Sequence, residues 1–412
     1  MPSLEATHTR LSDLRAVRAE SDRFFNVLVP EALFERPIAE RHRVIFYIGH
    51  LDGFDSIQIC REGLDIPSPD PELDVLFQAG IDPDSDALPT DTAADWPSLE
   101  QVRAYVERCR SHVDRHLEQA SEDSIHFAIE HRQMHLETLA YMFHNLDYRF
   151  KRSAQLEDVH DAGTAESFFP ENAWIDIPAG DALLGKADDG SFGWDNEYQE
   201  HCRAVPSFRI QQRSISNGEY LRFVEAGAPL PHFWARHGDA LYYRGMLGEH
   251  PLPLDWPVYV TQNEAQAYAS WLGRSLMTEE QFHRAAYGTA RSGQRRYPWG
   301  DAEPARWHGN FDLRRWDPEP VDATPSGRSA FGVEQLVGNG WQWTSSVFGP
   351  FEGFKPNPKY AGYSANFFDG KHYVMKGGSP RTAARLLRRS FRNWFRADYP
   401  YVYATFRCVE NA

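Results

Sequence analysis

EHRQMHLETLAYMFH, residues 130–144, carries His131, His135 and His144, with His126 just upstream. Its apolar residues recur at helical spacing. On a helix His131 and His135 stand i, i+4, so they stack on one face, one turn apart. Two imidazoles placed this way can grip a metal ion, or they can be ordinary helix histidines. The pair by itself favours the second reading.

Working outward, the first 150 residues read as helices. THTRLSDLRAVRAESDRFFNVLV opens on a cap-like Thr7. IAERHRVIFYIGHLDGFDSIQICREGL is a second helical stretch. SLEQVRAYVERCRSHVDRHLEQA begins at Ser98 with Glu100 close behind, an approximate capping signal, and EDSIHFAIEHRQMHLETLAYMFHNLDY is the fourth. Four helices with short joints predict an up-down bundle. The exception is residues 63–97, a Pro- and Asp-rich stretch long enough to suggest a functional loop. QLEDVHDAGTAESFFPENAW then reads as a linker. From about residue 172 short strand-like runs, Gly, Pro and Trp-rich turns predominate, with helical pieces at NGEYLRFVEAG and TQNEAQAYASWLGRSLMTEEQFHRAAYG. The expected fold class is α+β in two domains: a helical bundle over 1–155, a linker at 156–171 and an irregular α+β domain over 172–412.

Composition narrows the function. The chain has 412 residues, 42% hydrophobic and 25% charged, which suits a soluble globular protein of two or three domains. Its net charge of −16 argues against a general role on nucleic acid or an anionic membrane, either of which normally needs a basic surface. Cys60, Cys109, Cys202 and Cys408 are scattered, with no CxxC pair. No hydrophobic signal peptide and no 18-residue apolar run is visible, so a cytoplasmic protein with reduced thiols is expected.

A third ligand would strengthen the metal reading. His50 lies inside VIFYIGHLDGF, among apolar neighbours that place it toward the bundle interior. A histidine there is costly unless a partner satisfies it. Bundle cores often hold metals between facing helices, so His50, His131 and His135 form a candidate set of three neutral nitrogen ligands. By this argument Zn(II) and Fe(II) both remain open. Glu137 stands i+2 from His135 and points off the His131/His135 face. His42, His126 and His144 read as ordinary helix or core histidines.

At these residues the chain resembles the ergothioneine-type sulfoxide synthases. HRQMHLE resembles their HxxxHxE motif and FYIGHLDGF the segment supplying their first histidine. In the second half FGWDNEYQEH, ISNGEYLRFVEAG, EAQAYASWLGRSLMTEEQFHRAAYG, YPWGD, FGVEQLVGNGWQWTSS, FFDGKHYVMKGGS and SFRNWF…ATFRC resemble that family in order. The resemblance implies a DinB-like four-helix bundle joined to a formylglycine-generating-enzyme-like domain of C-type-lectin-like fold, with the active site between them. It implies Fe(II) held by His50, His131 and His135. It also implies hercynine (N-trimethylated histidine) and O2 as substrates, and oxidative bonding of a chalcogen nucleophile to the imidazole C2.

Departures from the family pattern bear on the nucleophile. Where the family has an arginine-rich run that holds the carboxylates of cysteine or γ-glutamylcysteine, this chain reads GIDPDSDALPTDTAADWP, with no Arg or Lys and several Asp. That removes bidentate carboxylate clamps and leaves like charge facing an anionic donor. Phe395 follows Asn393 and Trp394 where an acidic residue is usual. Phe351 replaces the tyrosine of a PYPGF-like turn, and Met134 stands where Gln often precedes the last histidine. The hercynine side, through Asn393 and Trp394, looks retained. The Asp-bearing region 79–97 would suit a neutral, hydroxyl-rich donor, as in the selenoneine synthase branch, which joins hercynine to a 1-seleno-sugar. The expected substrate-binding residues are therefore Asn393, Trp394, Phe395 and Met134, and no catalytic proton donor is assigned. Selenoneine synthesis is the expected function. A sulfoxide synthase using cysteine or γ-glutamylcysteine is the alternative, and a lectin-like binding module the non-enzymatic one.

Other readings are weaker. Formylglycine chemistry needs a cysteine pair near the C-terminus, and only Cys408 is there. A calcium site is disfavoured by Gln342 in GNGWQW, where a Glu would supply a carboxylate. Trp394 is the preferred ring for a quaternary ammonium. Tyr399, Tyr401 and Tyr403 are candidates for a hydroxyl near the metal.

Overall fold

The computed structural model describes residues 4–78, 88–152, 172–291 and 293–411. The chain divides into two compact units, Met1–Glu157 and Asp158–Ala412. The linker expected at 156–171 lies outside the described residues.

The N-terminal unit is helical: α1 (Leu4–Phe25), α2 (Val44–Ser56), α3 (Glu62–Leu64), α4 (Pro71–Phe77), α5 (Leu99–His116) and α6 (Glu122–His144). Every residue of α2 except Ile48 is buried, as expected of a helix that is apolar nearly all round. It packs against α4, α5 and α6, while α1 packs against α6. Gly53 permits the approach of α5, since a Cβ there would lie 2.5 Å from the Tyr105 hydroxyl. A turn of wider, π-helical winding (Ile57–Arg61) links α2 to α3. Leu14, Val17, Ile59, Val113, Leu117, Ile125 and Ile129 close one core cluster. Each such side chain contributes about 1.5–3 kcal/mol on leaving water.

Several sequence expectations shift. α1 already runs through Thr7, so Thr7 is not its cap. The second helix starts at Val44, because the chain at Arg43 is extended. Ser98 does cap α5, but its reciprocal partner is Gln101, at the third helical position, and not Glu100. The stretch 63–97 is not all loop. It holds α4, started by Asp70, whose carboxylate accepts from the Leu73 amide at 3.2 Å, with Pro71 at the first helical position.

The C-terminal unit is mixed. One antiparallel sheet has the order β1 (Trp174–Ile177), β4 (Phe208–Gln211), β13 (Cys408–Asn411), β8 (Ser275–Leu276). The second is ordered β11 (Asn393–Arg396), β10 (His372–Lys376), β9 (Trp341–Val347), β12 (Ala404–Thr405), with β12 parallel to β9. β2 (Gly180–Leu184) pairs with β3 (His201–Val205), and β5 (Trp234–His237), β6 (Ala240–Arg244) and β7 (Glu249–Pro251) form a meander. The last strand therefore sits inside the sheet that the first strand opens, so the two ends of the unit are tied together. Helices α7 (Asn217–Glu225), α8 (Gln262–Trp271) and α9 (Glu279–Tyr287) each begin with a capping box: Ser216/Glu219, Thr261/Glu264 and Thr278/Gln281. Ile177, Leu184, Phe208, Ile210, Met277, Phe282, Tyr287, Leu336 and Val409 fill the core between α9 and the strands.

Candidate metal centre

α2 presents His50, and α6 presents His131 and His135 one turn apart. All three are buried, and one ligand atom from each lies within 4.8 Å of the others. His50 Nε2 is 3.2 Å from His135 Nε2, which is 3.0 Å from His131 Nε2. Nitrogens about 2.1 Å from one ion stand about 3.0 Å apart at a right angle, so the observed spacing fits adjacent ligands of a single metal.

The tautomer of His50 is set from outside the cluster. Its Nδ1–H donates to the Phe77 carbonyl at 2.6 Å, which leaves the Nε2 lone pair facing inward. His131 lies flat on Phe54, ring centroids 3.4 Å apart, and Phe46 stacks on His50 at 4.9 Å. Burial holds His50 down at about 4. Burial, reinforced by the neighbouring imidazoles, pushes His131 and His135 well below the usual histidine range. The set is therefore neutral near pH 7, the form that binds metals. With Nε2 of His131 and His135 deprotonated like that of His50, the three inward lone pairs would have no donor among them, and a cation would satisfy all three at once. Three imidazoles also leave further coordination positions open, the arrangement of a reactive rather than a structural site.

An ionic layer next to the triad joins four helices. Arg132 donates to Asp52 (2.8 Å), Asp55 (2.6 Å) and Ser21 (2.9 Å). Arg110 of α5 reaches Asp52 at 3.1 and 3.0 Å, and Arg18 of α1 lies 3.7 and 3.6 Å from Asp52 and Asp55. Burial would raise Asp52, but the guanidinium groups of Arg132, Arg110 and Arg18 hold it below the usual carboxylate range. Asp55, fully enclosed, is raised by burial despite Arg132 and Arg18. The signal for this layer was present in LDGFD: two carboxylates in an apolar helix require buried cations, and Arg132 follows a ligand histidine. Phe77 carried no such signal, because its carbonyl reaches His50 across 27 positions of sequence.

The remaining candidates fall elsewhere. Met134, half-buried on α6, is next to His135. Asn393, Trp394 and Phe395 lie on β11. Adjacent strand residues face opposite sides, so Trp394 does not share a face with Asn393 and Phe395. Trp394 stacks on Phe348 at 4.2 Å and meets Tyr363 and Phe367 at 5.4 and 5.6 Å. Phe395 stacks on Tyr399 at 5.0 Å, and Tyr401 meets Tyr399 edge-on. Tyr403 is buried against Tyr259 and Phe233, as core side chains are. Phe351 packs against the C-terminal core, with the Arg392 guanidinium 4.1 Å from its ring centroid. His42 stacks on Phe46 and His144 is buried, while Glu137 is half-buried on α6. Gln342 Oε1 accepts from Arg407 Nε at 3.0 Å, so a guanidinium already serves this position. Cys408 is buried in β13, and burial pushes its thiol up to about 12, far from the thiolate that formylglycine chemistry requires. Of the region 79–97, residues 79–87 lie outside the described residues. In the rest, Asp91 is taken up by Arg36, Arg43 (3.1 Å) and the Trp96 indole (2.7 Å). Two arginines from before α2 thus offset the charge of Asp91.

The Sulfatase-modifying factor enzyme 1-like domain matches residues 160–412, more than half of the chain. The chain belongs to this family. An ergothioneine biosynthesis protein 1 of Neurospora crassa is 29% identical, with 97% of this chain and 57% of that protein aligned. A hercynine oxygenase of Mycobacterium tuberculosis is 38% identical, over 50% of this chain and 52% of that protein. The bovine formylglycine-generating enzyme is 27% identical, over 51% of this chain and 66% of that protein. The chain spans about half the length of the first two. Among the described residues no helix is long and apolar enough to cross a membrane.

Proposed function

We propose that the chain is an Fe(II)-dependent oxygenase of the ergothioneine type that bonds a chalcogen nucleophile to the imidazole C2 of hercynine. The observation that carries this reading is the convergence of three neutral imidazole nitrogens, contributed by α2 and α6. The alignment with an ergothioneine biosynthesis protein includes almost the whole chain and supports it. The N-terminal unit is read as DinB-like on the same resemblance.

Bound iron supplies the one-electron and O2 chemistry that side chains lack. In the sulfur reaction, replacing the C2–H bond by a C–S bond removes two electrons. Oxygenating the sulfur removes two more, which matches the four-electron capacity of O2. His50, His131 and His135 hold the ion. Phe77 and Phe54 fix two of the rings, and the apolar walls around them exclude water. Asn393, Trp394, Phe395 and Met134 are proposed substrate contacts, with the Trp394 ring suited to a trimethylammonium group.

For the donor, the relatives favour an amino-acid thiol, cysteine or γ-glutamylcysteine. A 1-seleno-sugar is the second reading, favoured by the absence of Arg and Lys from GIDPDSDALPTDTAADWP. The engagement of Asp91 by Arg36 and Arg43 reduces the weight of that absence. The test is anaerobic reconstitution with Fe(II), then hercynine, O2 and each donor in parallel, with products read by mass spectrometry. Turnover with a thiol assigns the sulfoxide synthase reaction. Turnover with the seleno-sugar alone assigns selenoneine synthesis, and no hercynine-derived product with any donor overturns the proposal.

A further inference from the structure

We propose that α4 is a positioning element for the metal: it locks His50 in its ligand tautomer through the Phe77 carbonyl, and Gly49 is the notch that admits it. The inference rests on the metal reading above but not on any substrate. Phe77 is the last residue of α4, so its carbonyl is one that the helix itself leaves without a partner. His50 Nδ1–H supplies that partner at 2.6 Å. The contact is possible because the Phe77 ring lies directly over Gly49. A Cβ at 49 would stand 2.5, 2.5 and 2.6 Å from three of its ring atoms, closer than any real contact. Phe77 is fully buried, stacked on Tyr105 at 5.2 Å and tilted against Phe46 at 6.3 Å. Asp74 anchors the same helix by accepting from the Tyr105 hydroxyl at 2.7 Å. Packed between Tyr105 and Phe46, the ring has little room to turn aside, so a Cβ at 49 would push α4, and its carbonyl, away from His50.

The hydrogen bond does two things for a metal. It keeps the proton on Nδ1, so that Nε2 faces His135 as a lone pair, and it fixes the plane of the ring. A helix in the stretch between α2 and α5 thereby controls a ligand on α2, while His131 and His135 remain as they are.

The test uses the full chain, with Co(II) as a visible probe and Fe(II) under anaerobic conditions. Gly49→Ala is expected to weaken binding roughly 10- to 100-fold, the range for losing an outer hydrogen bond to a ligand histidine. Gly49→Ala combined with Phe77→Ala removes the clash and is expected to recover most of the affinity, which a variant that simply failed to fold would not do. In metal-free protein, 15N-edited spectra of the imidazoles are expected to show His50 protonated at Nδ1, with Gly49→Ala mixing the tautomers. Wild-type affinity in Gly49→Ala, or a His50 proton on Nε2 in the wild type, overturns the proposal. A wild-type protein that binds neither ion overturns the metal reading, and this inference with it. Loss of hercynine turnover with metal affinity intact counts against the proposed function alone.

Discussion

Both units bury polar groups, and they do so in different ways. In the C-terminal unit the buried guanidinium groups of Arg392 and Arg407 meet acceptors. Arg392 places Nε and Nη2 on the Glu279 carboxylate at 3.0 and 3.1 Å. Ser390 donates to Glu197 at 2.6 Å, beside Arg388. Arg407 donates to Gln342, Ser214 and the carbonyls of Gln211, Gln212, Glu334 and Gln335. Among the described residues the N-terminal unit has a complementary cluster of this kind, Arg132 with Asp52 and Asp55. Beside it is a set of a different kind, in which three identical nitrogens face one another. Complementary burial holds a fold together, whereas convergent burial of like groups calls for a ligand.

The largest expected effect breaks that contrast at the triad. His131→Ala or His135→Ala should cost more than about 100-fold in metal affinity, beyond the loss of an outer hydrogen bond. The stabilisation that wild type gains from metal, about 2.7 kcal/mol at a hundredfold excess over Kd, should vanish in thermal melts. Unchanged metal content would remove the histidines from the site. Next come the complementary clusters. Arg132→Met leaves two buried carboxylates and should destabilise the N-terminal unit by roughly 3–5 kcal/mol in urea titration. Arg407→Met strands a group of buried acceptors and should cost the C-terminal unit about 3 kcal/mol while leaving metal binding unaltered. Loss of metal in Arg407→Met would mean that the contrast between the two units is wrong.

A smaller effect is a pH slope. Burial lowers Lys376 from 10.5 to about 7. Between those values the unfolded chain holds more protons than the folded one, so stability rises with pH through that window. The urea midpoint of the C-terminal unit should climb between pH 7 and 9, and Lys376→Met should flatten the climb. The smallest effect is shared by both units: Ser98→Ala and Ser216→Ala each remove a capping-box hydroxyl and should cost about 1 kcal/mol of thermal stability.

How much was legible follows the range of each interaction. The capping boxes at Ser216, Thr261 and Thr278 are local patterns, readable as S/T-x-x-E/Q in the chain. α6 and its histidine pair were readable because helical periodicity is also local. At Ser98 the cap is legible but its reciprocal partner is not, since Glu100 and Gln101 differ by one position and only the helix phase chooses between them. α4 was hidden inside a Pro- and Asp-rich stretch, although Asp70-Pro71 is itself a start signal. Asp91, one carboxylate of a stretch that reads as acidic, is paired with arginines 48 and 55 positions away.

By itself the sequence determined that α2 is a core helix, that α6 carries two histidines on one face, and that the second half is rich in short strands with helical pieces between them. These follow from residue type and spacing within one or two turns of chain. Only the tertiary structure decided that His50 meets that pair, its Nε2 3.2 Å from that of His135, that Phe77 chooses its tautomer, and that Arg132 is neutralised by Asp52 and Asp55. Those contacts join residues 27 to 85 positions apart. They depend on how closely helices approach, which is set at positions such as Gly49 and Gly53, where the absence of a side chain is what matters.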